Sequence, residues 1–216
     1  MPEFGPDLGL LVPRSLARVL RTPNRLLSRA FFDLEVEGGV NIPGDGSVVI
    51  AANHFSHLDP PLLGMNLDRY VRFLAVDDIF GVSRGLDLAL GFFGAISLDR
   101  DGYPIRAMRE AISHLESGGV VGLFPEGRRV ERWGEDPPAR GAAWLAWMTG
   151  APLVPIAIVG TQHSLAPGES AFRRTAVKIW IEAPIWWHDY RGETDPVGAM
   201  MEDWYHAVDA KVGMWT

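Results

Sequence analysis

Seven short apolar runs rich in β-branched residues recur along the chain: "LEVEG", "SVVIAA", "VRFLAV", "GAISLD", "VVGLF", "LVPIAIV" and "AVKIWIE". Stretches of helical periodicity lie among them, at 60–67, 79–91, 104–117, 139–149 and 195–211. Strands alternating with helices predict an α/β fold, here a single domain with a central, largely parallel (mixed) sheet flanked by helices. With 216 residues, 47% of them hydrophobic, the chain is long enough to bury a proper core. In such sheets the loops after the C-terminal ends of the strands meet along one rim, where ligands bind. Three polar clusters follow strands in that way: "NHFSHLD" after "SVVIAA", "DR" after "GAISL" and "PEGRR" after "VVGLF".

What the chain lacks narrows the chemistry. Without cysteine there are no disulfides and no thiolate metal ligands, which suits a reducing compartment. No run approaches the roughly 18 to 20 apolar residues of a membrane span, and no signal-peptide pattern opens the chain. A net charge of −7 argues against a nucleic-acid partner. The charge is unevenly placed, because residues 1–32 hold Arg14, Arg18, Arg21, Arg25 and Arg29 against Glu3 and Asp7, five minus two, or +3, leaving −10 for the rest. At helical spacing the five arginines fall within roughly 80°, opposite Leu16, Val19, Leu20, Leu26, Leu27, Ala30 and Phe31. The segment 1–32 is therefore expected to be a basic amphipathic helical segment, with Pro23 as a breaking point, preceding a domain over 33–216. Such a helix either lies in an anionic lipid surface or packs its apolar face on the domain and leaves the arginines in water.

The first cluster carries the candidate chemistry. A neutral imidazole held in one tautomer by a carboxylate is a proton acceptor for a hydroxyl nucleophile. His54 and Asp59 are five residues apart, which on a continuous helix would separate them by roughly 140°. They must therefore straddle a bend, with Asp59 expected as a helix N-cap and Pro60 as the first helical residue. The plain alternative is a capping aspartate beside a structural histidine. His57 is a rival base, and Ser56 lies inside the motif but not in a nucleophile elbow. A base without an enzyme nucleophile suggests direct transfer, in which the substrate's own hydroxyl attacks. No HExxH or third clustered ligand suggests a metal.

Arg100, after Asp99, can offer a planar fork to an anion or can form a surface ion pair. Pro125 and Gly127 force a tight turn that holds Glu126 at the rim, in a supporting role, with Arg128 and Arg129 beside it. Pro155 sits within an apolar strand although proline removes a ladder donor, so an edge or a bulge is expected there. Trp144, Trp147, Trp180, Trp186, Trp187, Trp204 and Trp215 crowd the later part of the chain, as core packing, a partner interface or a lipid-facing belt.

Taken together the clusters resemble the glycerolipid acyltransferases of the lysophosphatidic acid and glycerol-3-phosphate acyltransferase family. The residues that carry the resemblance are Asn53, His54 and Asp59; Gly94, Asp99 and Arg100; Phe124, Pro125, Glu126, Gly127 and Arg129; and Val154, Pro155 and Ile156. They occur in the family's order, and Arg128 stands where the family has threonine. The resemblance implies transfer of a fatty acyl group from acyl-CoA or an acyl carrier protein to a hydroxyl of a lysophospholipid-like acceptor. It implies His54 as base, Asp59 as its orienting partner, and an acceptor phosphate held by Arg100, Glu126, Gly127, Arg128 and Arg129. Asn53, Ser56, Gly94, Pro125 and Pro155 would support the site, and no cofactor or metal is needed beyond the thioester co-substrate. A cytoplasmic enzyme is expected, peripherally associated with the inner face of the cell membrane through the N-terminal helix. Alternatives are a lipid-binding protein on the same scaffold, a thioester hydrolase, and an acyltransferase for a non-glycerolipid alcohol.

Overall fold

A computed structural model describes residues 25–77, 80, 84, 87, 90–91, 94–99, 104–164 and 172–215. Seven strands form one sheet: β1 (Asp33–Glu37), β2 (Val48–Ala52), β3 (Val71–Val76), β4 (Ile96–Leu98), β5 (Val120–Leu123), β6 (Leu153–Val159) and β7 (Ala176–Ile181). Their order is β1-β7-β6-β2-β5-β3-β4, parallel throughout except where β6 meets β7 antiparallel. The named helices are α1 (Asp59–Asn66), α2 (Ile105–Glu116), α3 (Gly141–Thr149) and α4 (Pro196–Trp215). The predicted helix at 79–91 falls largely outside the described residues, although 84, 87, 90 and 91 are helical. Residues 25–31 are also helical, and the earlier part of the segment 1–32 lies outside the description.

The central strands β2 and β6 are buried along their whole length, because helices or loops cover both faces. Alternation then splits each strand between two cores. Val49 and Ala51 join Leu153, Ala157 and Val159 under α2, α3 and α4. Val48, Ile50 and Ala52 join Val154, Ile156 and Ile158 under α1, together with Phe32 and Ile42. Small residues at the start of α3, Ala142 and Ala143, let that helix approach the sheet closely, and both are buried. In α4, Met200, Trp204, Val208 and Val212 recur every fourth residue and form its buried stripe. The indole of Trp204 donates to the Ala51 carbonyl at 2.8 Å, so its polar group is satisfied inside the core. Trp180 is buried as well, whereas Trp144, Trp147, Trp186 and Trp215 reach the surface.

Of the edge or bulge expected at Pro155, the edge is corrected. It lies in β6, an interior strand, in register with Ala51 of β2. Its carbonyl accepts the Glu182 N–H at 2.9 Å, so its missing donor also faces the β7 side. On that side the ladder is interrupted: it pairs Ile156 with Ile181 and resumes at Leu153 with Ile185, one residue out of that register, so only one reciprocal bond is forfeited at Pro155.

Candidate active site at the C-terminal rim of the sheet

The site begins where β2 stops pairing. The ladder to β6 runs as far as Ala52 opposite Ile156, and the next backbone groups on β6 belong to Ile158. The Asn53 side chain takes both of them: its Nδ2 donates to the Ile158 carbonyl at 2.8 Å and its Oδ1 accepts the Ile158 N–H at 2.7 Å. A primary amide carries an NH2 donor group and a carbonyl acceptor side by side, so it can replace a strand residue in the ladder. The main chain of the next residue is thereby free to turn away. The His54 N–H instead donates to Glu126 Oε1 at 3.1 Å, and the His54 carbonyl accepts from Val130 N at 2.9 Å.

Asp59 closes the bend. The helix starts at Asp59 itself with Leu58 as the N-cap residue, so Asp59 is not the cap that its position suggested. Its carboxylate points upstream. Oδ2 accepts the N–H groups of Phe55 at 2.8 Å and Ser56 at 2.7 Å and meets His54 Nδ1 at 2.9 Å. A carboxylate only accepts, so the tautomer with its proton on Nδ1 satisfies this contact and leaves a lone pair on Nε2. Asp59 is fully buried while the His54 side chain keeps 15% of its surface accessible. The imidazole lies on Phe124, centroids 4.1 Å apart and planes at 23°, and Phe73 stacks behind Phe124 at 5.5 Å. The ring is thus held by a hydrogen bond on one edge and an aromatic floor beneath. Ser56 is buried, and its Oγ accepts from Leu58 N at 3.3 Å, which makes it a turn residue. His57 is exposed, and its imidazole is lowered from its ordinary value by desolvation, then by the charges of Arg129 and His54.

The third cluster packs against the first. Gly127 N donates to the Phe124 carbonyl at 2.9 Å, closing a turn with Pro125 at its second position, and Gly127 takes φ +69°. This turn directs Glu126 inward. Burial pushes the Glu126 carboxyl up to about 7, opposed by its hydrogen bonds from the backbone and reinforced by Asp59 and Asp136. Its Oε2 is buried and has no partner among the described residues, as is Asp59 Oδ1. The two arginines that follow part company. Arg128 turns outward to Asp136 at 2.6 Å and Glu135 at 3.6 Å, and its side chain is 52% exposed. Arg129 is half-buried, acts electrostatically on His57, and has no carboxylate partner among the described residues. Of the two, Arg129 is therefore the one whose charge reaches the loop that carries His54 and His57.

Of the second cluster, Arg100 lies outside the described residues. Gly94 has φ +58°, and a Cβ there would meet the Tyr70 hydroxyl and the Arg72 guanidinium. Arg72 fills that space, its Nε donating to the Gly94 carbonyl at 2.7 Å while it pairs with Glu110 at 2.5 Å. Sequence reasoning passed over the partnership of Asn53 with Ile158, 105 residues apart, and the role of Phe124 as a floor. Only the aromatic character of the residue before Pro125 hinted at the second. Among the described residues no group of three or more His, Asp or Glu side chains is placed to hold a metal ion. None of the described helices is long and apolar enough to cross a membrane.

A family model described as acyltransferase matches residues 33–159, which contain all of this geometry. The chain belongs to the acyltransferase family. Its relatives within that family include the 1-acyl-sn-glycerol-3-phosphate acyltransferase of Bacillus subtilis, 31% identical over 165 residues, covering 73% of this chain and 79% of that one. A chloroplast 1-acyl-sn-glycerol-3-phosphate acyltransferase of Brassica napus is 29% identical over 160 residues, which is 72% of this chain but 46% of the longer plant protein. The crystal structure of the 1-acyl-sn-glycerophosphate acyltransferase PlsC from Thermotoga maritima superposes with a TM-score of 0.75 at 25% identity, covering 97% of this chain and 87% of that one. The acyltransferase fold and its seven-stranded sheet are therefore shared over nearly the whole chain.

Proposed function

We propose that this acyltransferase moves a fatty acyl group from a CoA or acyl-carrier-protein thioester to the free hydroxyl of 1-acyl-glycerol-3-phosphate or a closely similar lysophospholipid, with His54 as general base. The observation that supports this reading best is the 2.9 Å contact of Asp59 Oδ2 with His54 Nδ1, which leaves Nε2 basic at the cleft. The acceptor hydroxyl gives its proton to Nε2 as its oxygen attacks the thioester carbonyl carbon. The tetrahedral intermediate expels the thiolate, the carbon–sulfur bond breaks, and the imidazolium returns the proton to sulfur. The reaction calls for no cofactor beyond the thioester. We assign the acceptor phosphate to Arg129, Gly127 and Glu126, which follow Phe124 on one turn, and, on the resemblance, to Arg100, which lies outside the described residues. We further place the protein at the inner face of the cell membrane, docked through its N-terminal helical segment.

His54→Ala tests the proposal. Thiol release from an acyl thioester in the presence of the lysophospholipid is expected to fall by roughly 10² to 10⁴ with the circular dichroism spectrum unchanged. Transfer at the wild-type rate would refute the assignment of the base. Thiol release independent of any acceptor would identify a hydrolase, and lipid binding without thiol release a binding protein.

A further inference from the structure

Between β5 and α3 the chain makes an excursion of turns and bends, residues 126–138, "EGRRVERWGEDPP". It is closed at its base, where Ala139 N donates to the Pro125 carbonyl at 2.7 Å. Apart from Pro137 and Pro138 its only apolar side chains are Val130 and Trp133, and each ties the loop down. Val130 is buried in the core, and its N–H reaches the His54 carbonyl at 2.9 Å. Trp133 goes the other way, onto α4. Its ring stacks on Tyr205 with centroids 5.1 Å apart and planes at 19°, meets Trp204 edge-on at 5.8 Å, and donates from Nε1 to Asp209 Oδ1 at 2.9 Å. Tyr205 and Asp209 are four residues apart on the helix, so they present one face to the indole. Gly134 follows at φ +81°, where a Cβ would stand 3.3 Å from the Tyr205 hydroxyl, so the chain turns back directly after Trp133.

That reversal places the carboxylates of the loop. Glu135 Oε1 accepts the Arg132 N–H at 3.1 Å, and Asp136 and Glu135 meet Arg128 at 2.6 and 3.6 Å. Arg129 is left without a carboxylate, among the described residues, although it is joined to Val130 beside His54 and its charge reaches His57. Two adjacent cations thus have two adjacent carboxylates within the same loop, and both carboxylates go to the first. The pairing chemistry does not demand that division, because one guanidinium accepts a carboxylate as readily as its neighbour does. Nor is Asp136 remote from the site, since its charge adds to the burial that raises the Glu126 carboxyl.

We propose that Trp133 is a positioning residue for acyl transfer: clamped on Tyr205 and Asp209, it holds Glu135 and Asp136 on the Arg128 side and keeps Arg129 unneutralised for the anion of the acceptor. The proposal rests on the assignment of the acceptor phosphate to Arg129 and names what keeps that cation available. A loop released from α4 brings its carboxylates to Arg129, where they compete with the phosphate. Because Val130 has its own anchor in the core, release of Trp133 leaves the contact with His54 in place. The clamp also accounts for an arginine at position 128, whose charge is cancelled within the loop. Its partners Tyr205 and Asp209 lie beyond residues 33–159, the span that the acyltransferase family model matches.

The test is steady-state thiol release by the full chain, with 1-acyl-glycerol-3-phosphate varied at saturating acyl thioester and then the reverse. Trp133→Ala and, separately, Tyr205→Ala, which removes the same stack without touching the loop, are expected to raise KM for the acceptor about tenfold while kcat and KM for the thioester stay within about twofold of wild type. Trp133→Phe, which keeps the stack, stays within about threefold. Adding Glu135→Gln and Asp136→Asn to either alanine variant returns KM to within about threefold of wild type, a rescue that lost packing alone would not give. Should Trp133→Ala not fold, Tyr205→Ala carries the same comparison from the helix side. Wild-type KM in the alanine variants, with Arg129→Ala raising it, would overturn the clamp and leave the acceptor assignment standing. A rise in KM that neutralising the two carboxylates does not relieve would overturn the proposal as well, showing Trp133 to be packing only. Wild-type KM in Arg129→Ala would remove the acceptor assignment itself, and the proposal with it.

Discussion

Replacing Asn53 with alanine removes the amide that stands in for a strand. The side chain is fully buried, and it satisfies both the N–H and the carbonyl of Ile158 at 2.7 and 2.8 Å. Alanine leaves those two groups in a dry interior without partners, at about 1 to 3 kcal/mol each, so the expected loss is about 4 kcal/mol. In a domain of this size that lowers the melting temperature by roughly 10 °C. Urea unfolding with an unchanged m-value is the assay, and a loss below about 0.5 kcal/mol would refute the reasoning. The isosteric Asn53→Asp separates the two bonds. A protonated carboxyl can donate to the Ile158 carbonyl and accept its N–H, whereas an ionised one can only accept and faces the carbonyl oxygen. Burial raises that carboxyl above its unfolded value, so the variant is most stable below about pH 4 and loses stability as pH rises through the folded value. A flat profile would show that the amide geometry is not what holds this loop. Since the same residue releases His54 from the ladder, turnover should fall along with stability.

Asp59→Asn should lower kcat by roughly 10² to 10⁴ with little change in KM for either substrate, because the imidazole loses its orienting charge and tautomer control; steady-state kinetics on the folded variant check this. Glu126 is raised from 4.5 to about 7 by burial, so in the wild type its contribution to stability is fullest below pH 4.5 and declines as pH rises toward 7. Glu126→Gln keeps an acceptor for the His54 N–H and should remove that slope in denaturation measured across the same window. Arg129→Ala should raise KM for a phosphorylated acceptor about tenfold or more. Arg128→Ala, which breaks only the surface ion pairs to Asp136 and Glu135, should leave KM alone and cost about 0.2 to 1 kcal/mol of stability at most.

Periodicity and composition determined the kinds of element and their order. Strand and helix patterns match the structure to within about two residues where the chain is described, except that the last helix runs to Trp215, four residues past the expected end, because burial on both faces and amphipathic helices write themselves into local sequence. The grouping of His54, Asp59 and the turn around Glu126 was legible for a related reason: each follows a buried strand, and parallel strands bring such loops to one rim. Orientation was not legible. Which of two adjacent arginines is drawn away from the His57 loop depends on Glu135 and Asp136, which pair with Arg128. Which side of residues 25–31 faces water depends on Asn66 and Asp68, more than thirty residues away. The bend at Asn53 depends on Ile158 in another strand. A residue's type and spacing limit what it can bond, but the partner that decides the matter is supplied by distant chain, and only folding brings the two together.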